Sequence, residues 1–332
     1  MVQTVSYVLS LLVMTALASP AQTFTILTNF NTTDGSYPID IGSLVQGVDG
    51  NLYGMTAAGG TSDLGIVFKI TPGGALTTLY SLSAQNSDPY AGMILATDGN
   101  LYGTTLAGSG SIFKIMPDST LATLYSFCAQ SGCSDGGGPY AAPIQAADGN
   151  LYGTTAWSGT NGFGTVYRIT LGGTLTTIYS FCALPGCADG STTQAPLVQA
   201  TNGALYGTTK TGGTYGSGTV FKITPDGALT TLYSFCARSG CADGHDPFAG
   251  LIQAADGALY GTTVAGGAYG RGTVFKITLA GTLTTLYSFC AQSGCADGRN
   301  PYSGLVQATN GLFMGQLLAV RVPSSKLLRA AR

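Results

Sequence analysis

The stretch LIQAADGALYGTTVAGGAYGRGTVFKITLAGTLTTLYSF, residues 251–289, holds four short runs rich in β-branched and aromatic residues. Turn residues bound each run, which predicts four strands: a (251–254), b (259–263), c (273–278) and d (283–289). The a–b link is Asp256-Gly257, a pair that supplies the positive φ of a tight hairpin. The b–c and d–a links are longer. One end of the sheet therefore carries only short turns, and the other end, the loop face, carries the long links.

The same unit recurs along the chain around a Leu-Tyr-Gly triplet. Its tyrosine falls at intervals of 49 to 54 residues, with a decayed copy at Met314: Tyr53, Tyr102, Tyr152, Tyr206 and Tyr260. A period near 50 with four strands is typical of a propeller blade. Residues 23–30 match strand d, and residues 305–323 match a worn a–b–c. We therefore expect an all-β, six-bladed β-propeller of four-stranded antiparallel blades over residues 22–323, closed by the N-terminal strand; a truncated sixth unit is the alternative.

Composition narrows the class of protein further. Only 8% of the 332 residues are charged, all fifteen acids are Asp, and the net charge is −2. Such a low charge excludes a coiled coil and a nucleic-acid binder, and it provides no attraction to an anionic membrane surface. No motif predicts a cofactor.

The N-terminus resembles a targeting segment. Residues 5–18 are apolar or small, and small residues follow, so residues 1–21 are predicted to be a signal peptide cleaved after Ala18 or Ala21. A membrane anchor is the alternative, but about 14 residues is short for a bilayer span. We expect a monomer that is secreted, periplasmic or on the cell surface, without a membrane span after cleavage. Residues 324–332 form a basic tail.

Eight cysteines lie in four d–a links, each pair separated by four residues: Cys128/Cys133, Cys182/Cys187, Cys236/Cys241 and Cys290/Cys295. Equivalent links on packed sheets lie roughly 10 Å apart, whereas bridged Cα atoms lie within about 7 Å. Pairing inside each link is therefore favoured. A zinc site is the rival interpretation, but the spacing is loose, the chain has one histidine, and export implies an oxidising compartment.

The amino-acid sequence of the repeat resembles the GloVer (Gloeo/Verruco) tandem repeat of exported bacterial proteins, over residues 23–315. The matching unit is Leu-Ile-Gln-Ala-x-Asp-Gly-x-Leu-Tyr-Gly-Thr-Thr, then Gly-Thr-Val-Phe-Lys-Ile-Thr, then Leu-Thr-Thr-Leu-Tyr-Ser-Phe. The resemblance implies export and often a C-terminal surface anchor, and it implies no activity and no catalytic residues. Residues 316–332 carry basic residues instead of an apolar anchor.

Several residue series recur once in each unit. The Asp-Gly turns and the aspartates after each cysteine pair (Asp135, Asp189, Asp243, Asp297) are read as turn chemistry; calcium binding is the alternative for the turns. Basic residues on strand c are expected to pair with an acid or to extend along the blade edge: Lys69, Lys114, Arg168, Lys222, Lys276 and Arg321. Glutamines on strand a line the channel if that strand is innermost, with Leu95 interrupting the ring: Gln46, Gln145, Gln199, Gln253 and Gln307.

Candidate ligand-binding residues lie on the loop face, where rigid scaffolds usually carry recognition. They are four b–c aromatics and a small polar cluster: Trp157, Phe163, Tyr215 and Tyr269, with Asp243, His245 and Asp246. Aromatics among glycines suit stacking on sugar rings, and packing against the neighbouring loop is the alternative. The predicted function is a binding or surface-interaction module for an extracellular glycan or protein. A polysaccharide hydrolase or lyase using the polar cluster, and a purely structural envelope repeat, are the rivals.

Overall fold

The structure is a computed structural model that describes residues 27–31, 33–38, 44–307, 311 and 313–315. The predicted signal peptide, the strand-c-like run at residues 319–323 and the basic tail lie outside the described residues. Among the described residues, no helix is long and apolar enough to cross a bilayer.

The described chain folds into successive antiparallel sheets, one for each repeat. Unit 1 contains β1 (Ser36–Pro38), β2 (Val45–Gln46), β3 (Leu52–Ala58), β4 (Ile66–Ile70) and β5 (Leu76–Ser81). Unit 2 contains β6 (Ile94–Leu95), β7 (Leu101–Thr105), β8 (Ser111–Ile115) and β9 (Leu121–Ser126). Unit 3 contains β10 (Ile144–Gln145), β11 (Leu151–Thr155), β12 (Thr165–Ile169) and β13 (Leu175–Ser180).

The remaining units repeat the same plan. Unit 4 contains β14 (Val198–Gln199), β15 (Leu205–Thr209), β16 (Thr219–Ile223) and β17 (Leu229–Ser234). Unit 5 contains β18 (Ile252–Gln253), β19 (Leu259–Thr263), β20 (Thr273–Ile277) and β21 (Leu283–Ser288). Unit 6 contains β22 (Leu305–Gln307) and β23 (Phe313–Gly315).

Each complete sheet has the order a–b–c–d, so the d–a link joins one sheet to the next. In unit 1, β1 also pairs with the far half of β3, where Ser36 lies opposite Ala58. The six-bladed prediction needs a correction, because the described residues form five sheets with all four strands and a sixth unit of two strands only. Residues 27–30 of the predicted closing strand are described, but not as a strand. Closure of the ring stays a prediction.

The apolar core lies between neighbouring sheets, as expected for blades packed face to face. One cluster joins Tyr206 and Phe235 of unit 4 to Leu259, Phe275 and Ile277 of unit 5, and all five side chains are fully buried. Further clusters of buried apolar residues join units 1 to 2, 2 to 3 and 3 to 4. Burial of large apolar side chains at each interface stabilises the array by about 1.5–3 kcal/mol per residue.

The glycine of each Leu-Tyr-Gly triplet is required by close approach across the sheet. Gly261 lies opposite Phe275 in the β19–β20 register, and a Cβ at this position would lie 2.7 Å from Cζ of that ring. The equivalent glycines of the other complete units face Phe or Tyr in the same way. The glycine therefore leaves the space on strand b that the aromatic ring of strand c occupies.

Strand a is the innermost strand. The side-chain oxygens of its glutamines accept a hydrogen bond from a backbone N–H of the preceding unit at 2.8–3.0 Å: Thr97 to Gln145, Ala147 to Gln199, Thr201 to Gln253 and Ala255 to Gln307. Equivalent positions of neighbouring blades come within reach of one side chain only where blades converge. Leu95 occupies this position in unit 2, and Val48 of unit 1, the position it would serve, is 93% exposed.

Candidate functional site

The loop face is built from the b–c and d–a links. Each cysteine pair forms a disulfide within its own link, which agrees with the predicted pairing: Cys128–Cys133, Cys182–Cys187, Cys236–Cys241 and Cys290–Cys295. All eight cysteines have a positive φ of 52–69°, a region that side chains other than glycine seldom adopt. The disulfides hold the links in a conformation that the free chain would disfavour.

The aspartate after each cysteine pair braces its link from inside. Asp243 is fully buried. Its carboxylate accepts hydrogen bonds from the Tyr233 hydroxyl at 2.8 Å and from the backbone N–H groups of Ala237 at 2.9 Å and Arg238 at 3.2 Å. Asp135, Asp189 and Asp297 make the same three contacts. Asp243, a predicted ligand-binding residue, therefore has its carboxylate engaged within the loop and not presented on the surface.

The tyrosines that hold these aspartates resist ionisation. Burial, and then the hydrogen bond to Asp135, raise the pKa of Tyr125 to about 12. The pKa of Tyr287 is raised to about 12 by burial and by its bond to Asp297. Burial opposes ionisation of Asp297, but the hydroxyl of Tyr287 and two backbone N–H groups prevail and lower the pKa of its carboxyl group. The link that contains Asp297 therefore keeps a charged acceptor and a neutral donor across the physiological range.

His245 and Asp246 form a separate, accessible pair. His245 Nδ1 lies 3.3 Å from an Asp246 carboxylate oxygen, and about one third of each side chain is exposed. The backbone of His245 pairs with Ala265 of the next unit, and Asp246 has a φ of +56°. The predicted cluster of three is therefore split: Asp243 braces the loop, and only His245 and Asp246 are open to solvent.

Backbone hydrogen bonds tie the three d–a links between units 2 and 5 to the b–c loops on both sides. In the link between units 4 and 5, the Cys241 carbonyl accepts a hydrogen bond from the Gly267 N–H of unit 5. The Asp246 N–H of the same link donates to the Ser217 carbonyl of unit 4. The link between units 2 and 3 is tied in the same way through Cys133 and Gly138. The loop face is therefore a continuous network over these units, although its residues are irregular.

The four predicted b–c aromatics are exposed but differ in surroundings. Trp157 is 38% exposed and packs edge-to-face on Tyr140, with ring centroids 5.4 Å apart. Phe163 is 44%, Tyr215 53% and Tyr269 54% exposed. Tyr215 lines an outer groove of about 480 Å³ together with Leu184 and strand-d residues of unit 4. Trp157 and Phe163 share the b–c loop of unit 3, whereas Tyr215 and Tyr269 lie on the b–c loops of units 4 and 5.

A second aromatic series, which the sequence pattern did not single out, lies where each d–a link enters strand a. Its members are five residues before the strand-a glutamine position: Tyr90, Tyr140, Gln194, Phe248 and Tyr302. Tyr90 packs edge-to-face on Tyr140 at 4.9 Å, and Phe248 packs on Tyr302 at 5.4 Å. The sequence signal was a proline before the aromatic residue in four of the five units.

The opposite face, formed by the short a–b and c–d turns, has a different chemistry. In most units the turn aspartate accepts hydrogen bonds from the tyrosine of the Leu-Tyr-Gly triplet and from the backbone two residues on, for example Asp98 with Tyr102 and Asn100. Lys276 forms an ion pair with Asp256 at 2.8 Å, and chiefly this contact lowers the pKa of Asp256 to about 2. Within the described ranges, no group of three or more His, Cys, Asp or Glu residues could hold a metal ion. These aspartates serve the turns.

Comparisons with known proteins fit this architecture. A search of curated proteins finds no match. The structure is similar to a protein described as a putative gluconolactonase (TM-score 0.50, 14% identity, 85% of this chain and 87% of that one). It is also similar to a putative glucose dehydrogenase of Thermus thermophilus (TM-score 0.52, 16% identity, 84% of this chain and 90% of that one). A third likeness is to the extracellular domain of a putative hybrid two-component system of B. thetaiotaomicron (TM-score 0.54, 12% identity, 86% of this chain). This chain spans 32% of the length of that one. At these identities the likeness shows a shared propeller-like fold alone. A model of the Gloeobacter/Verrucomicrobia repeat matches residues 13–134 and 107–319, and the chain therefore belongs to that repeat family.

Proposed function

We propose that the chain is an exported binding module whose loop face recognises an extracellular ligand. The observation that carries the proposal is the combination of exposed aromatic side chains with loops held rigid by disulfides, buried aspartates and hydrogen bonds between units. Ordered loops lose little conformational entropy on binding, so exposed aromatic area on them contributes efficiently to affinity.

Export is supported by the redox state of the cysteines. The described residues contain four disulfides and no free cysteine. Disulfides persist in oxidising compartments and are rare in the cytosol. Together with the apolar run at residues 5–18, this favours a secreted, periplasmic or cell-surface location.

Closure of the ring by the N-terminal segment is part of the same proposal. Phe30 packs edge-to-face on Phe68 of unit 1 at 4.9 Å, the contact that Phe181 of strand d makes with Phe221 of the next unit at 5.2 Å. A Cβ at Gly74 would meet the Leu27 carbonyl, as one at Gly281 would meet the carbonyl of Leu232. Residues 27–30 thus lie against unit 1 as strand d of a preceding blade would.

Hydrogen exchange tests closure. If the N-terminal segment completes unit 6, deleting residues 22–31 speeds exchange in β22 as well as in unit 1. Faster exchange confined to unit 1 would show that the segment caps one end of an open array.

A catalytic function is the second candidate, favoured by the accessible His245–Asp246 pair and by likeness in fold to proteins described as a gluconolactonase and a glucose dehydrogenase. One screen separates the functions: the full chain, produced in an oxidising compartment, is applied to a glycan array, to extracellular protein extracts and to a panel of hydrolase substrates. Turnover that His245→Ala abolishes would replace the binding function by an enzymatic one. Silence in all assays would favour a purely structural repeat.

A further inference from the structure

The basic side chains of the loop face are concentrated toward the C-terminal end of the array. Among the described residues, one basic residue lies on strand c of each complete unit, and the others belong to units 4 and 5 and the links that follow them: Lys210, Arg238, Arg271 and Arg299. At the other end, Asp63 of unit 1 and Asp88 of the link after it are exposed acids. The loop face is therefore basic around unit 5 and acidic around unit 1.

Arg271 and Arg299 are neighbours in space although one lies in the b–c loop of unit 5 and the other in the link after that unit. The Asn300 N–H donates a hydrogen bond to the Arg271 carbonyl at 2.8 Å. Arg299 immediately precedes Asn300, so covalent geometry keeps the two arginine Cα atoms within about 8 Å of each other. Arg271 is exposed and Arg299 is partly exposed. These two residues form the arginine pair.

The arginine pair has no acidic partner in the part of the chain that the structure describes. Asp297, two residues before Arg299, is buried and its carboxylate already accepts three hydrogen bonds. In the preceding link the equivalent positions are His245 and Asp246, which lie 3.3 Å apart, whereas Arg299 is followed by Asn300. The position that supplies an acid to His245 therefore supplies none to Arg299.

Units 4 and 5 show that the fold does not require these arginines. Both units keep the same strands, disulfide, buried aspartate and exposed loop tyrosine. At the positions of Arg271 and Arg299, unit 4 and its link carry Ser217 and His245, and the same backbone hydrogen bond forms there at 3.1 Å. Two unneutralised charges that a nearly identical unit folds without favour a role in binding.

We propose that the arginine pair binds the carboxylate groups of an extracellular polysaccharide that contains uronic acid residues. This proposal rests on the binding function proposed above and supplies its site and ligand class. A guanidinium group presents a planar fork of N–H donors that matches the two oxygens of a carboxylate. Two such forks on neighbouring backbone positions can engage carboxylates of the same polymer.

The surroundings of the pair favour an acidic sugar over an acidic peptide. Tyr269 is 54% exposed, and its Cα lies within about 7 Å of that of Arg271 because the two are separated by one residue. Its ring provides an apolar face for a sugar ring, a contact that aspartate and glutamate side chains do not make. The chain has a net charge of −2, so an anionic polymer gains no general attraction and its binding depends on local basic groups.

The first test compares two forms of one ligand by titration calorimetry of the full chain. Oligogalacturonate carries a carboxylate on each sugar, and its methyl ester keeps the sugar rings without the charge. We expect the methyl ester to bind at least about tenfold more weakly. Raising the salt concentration from about 0.05 M to about 0.5 M should weaken binding of the acid form, because exposed charges are screened.

Variants of the pair use residues that other units already place at the same positions. Arg271→Ser copies Ser217, and Arg299→Ser copies Ser191, so both variants should keep the fold. Each should weaken binding of oligogalacturonate about tenfold and reduce its salt dependence, since one charged contact is lost.

Arg238→Gln is the matched control. It removes the same charge from the adjacent link, and glutamine occupies that position in the link after unit 5. The Arg238 guanidinium donates to the Leu283 carbonyl at the start of β21, outside the arginine pair. Its affinity for oligogalacturonate should stay within about twofold of the parent.

Transfer of the site to unit 4 provides a gain of function. The triple change Ser217→Arg, His245→Arg and Asp246→Asn gives unit 4 the residues of the arginine pair beside its own exposed Tyr215. The number of short oligogalacturonate chains bound per protein should rise from about one to about two. An unchanged stoichiometry would show that the pair is insufficient and would overturn it as the site.

The remaining outcomes separate the arginine pair from the wider function. Equal binding of the acid and the methyl ester, or equal losses in Arg238→Gln and Arg271→Ser, overturns the pair and retains a binding module. Binding of a sulfated polysaccharide or of oligoglutamate in preference to oligogalacturonate overturns the ligand class. An absence of any bound ligand, on a glycan array and in extracellular protein extracts, overturns both proposals.

Discussion

Replacing Asp243 by Asn tests whether this aspartate is a structural brace or a ligand-binding residue. The side chain keeps its shape, but one oxygen becomes an NH₂ group. The Tyr233 hydroxyl and the Ala237 N–H donate to one carboxylate oxygen, and the Arg238 N–H donates to the other. An amide can keep its oxygen toward the first two donors only by turning its NH₂ group toward Arg238. One buried N–H then loses its acceptor.

The expected cost follows from that geometry. Hydrogen bonds to a charged group contribute about 1.5–3 kcal/mol, and a buried donor left without an acceptor costs about 1–3 kcal/mol. We expect Asp243→Asn to lower the free energy of unfolding by about 2 kcal/mol. Asp246→Asn is the control, since its carboxylate is 38% exposed and lies in the same link. Loss of a surface interaction of this kind should cost less than about 1 kcal/mol.

Urea unfolding followed by circular dichroism measures both variants, with the denaturant slope checked for a common transition. Ligand binding is measured in parallel. Unchanged stability of Asp243→Asn together with lost binding would refute the brace and restore Asp243 as a ligand-binding residue. Equal destabilisation by both variants would show that the loop responds to any change of charge and that the three hydrogen bonds are not the cause.

Three further predictions follow from the repeated contacts. Stability should fall between pH 10 and 12, because the pKa of Tyr53, Tyr125, Tyr152 and Tyr287 is raised to about 12 and the unfolded chain, with tyrosine pKa near 10, loses those protons first; complete ionisation of the tyrosines, measured by phenolate absorbance, while the chain is still folded would contradict this. Gly261→Ala should cost about 1–3 kcal/mol through the clash with Phe275, whereas Gly73→Ala, whose Cβ would meet nothing closer than 3.8 Å, should be almost neutral in thermal unfolding. Replacing both Cys236 and Cys241 by Ser should cost about 2 kcal/mol in denaturant unfolding, the contribution of a six-residue loop, and dithiothreitol should then have a smaller effect on the variant than on the parent; an identical response to the reductant would argue against this disulfide.

The strands were predictable because local signals repeat in each unit. In unit 5 the predicted strand b is β19, and strands c and d each extend one residue beyond β20 and β21. Strand a was predicted too long, since only Ile252 and Gln253 pair with β19. Asp-Gly pairs and β-branched runs determine turns and strands over only a few residues, so these elements can be predicted from the local sequence.

The site was less predictable because it depends on distant contacts. Asp243 and Asp246 are the same residue type in one link, and only the position of Tyr233, ten residues earlier on strand d, decides which one is buried. Tyr90 and Tyr140, like Phe248 and Tyr302, lie about 50 positions apart, and their contacts arise only when the units pack. The sequence did not decide whether a sixth unit closes the ring, because the last strands of unit 6 lack the sequence motifs that identified the strands of the other units.

The glutamine contact between units has a direction. Units 3, 4 and 5 each accept from the unit before and donate to the unit after, so each of these copies carries both halves of a head-to-tail interface. A duplicated segment of 54 residues therefore arrives with matching surfaces at both ends, and an array can lengthen through recombination without inventing a new contact. Units 3 to 5, which keep the glutamine, the disulfide and the brace together, are the natural segments for grafting altered loops into this scaffold.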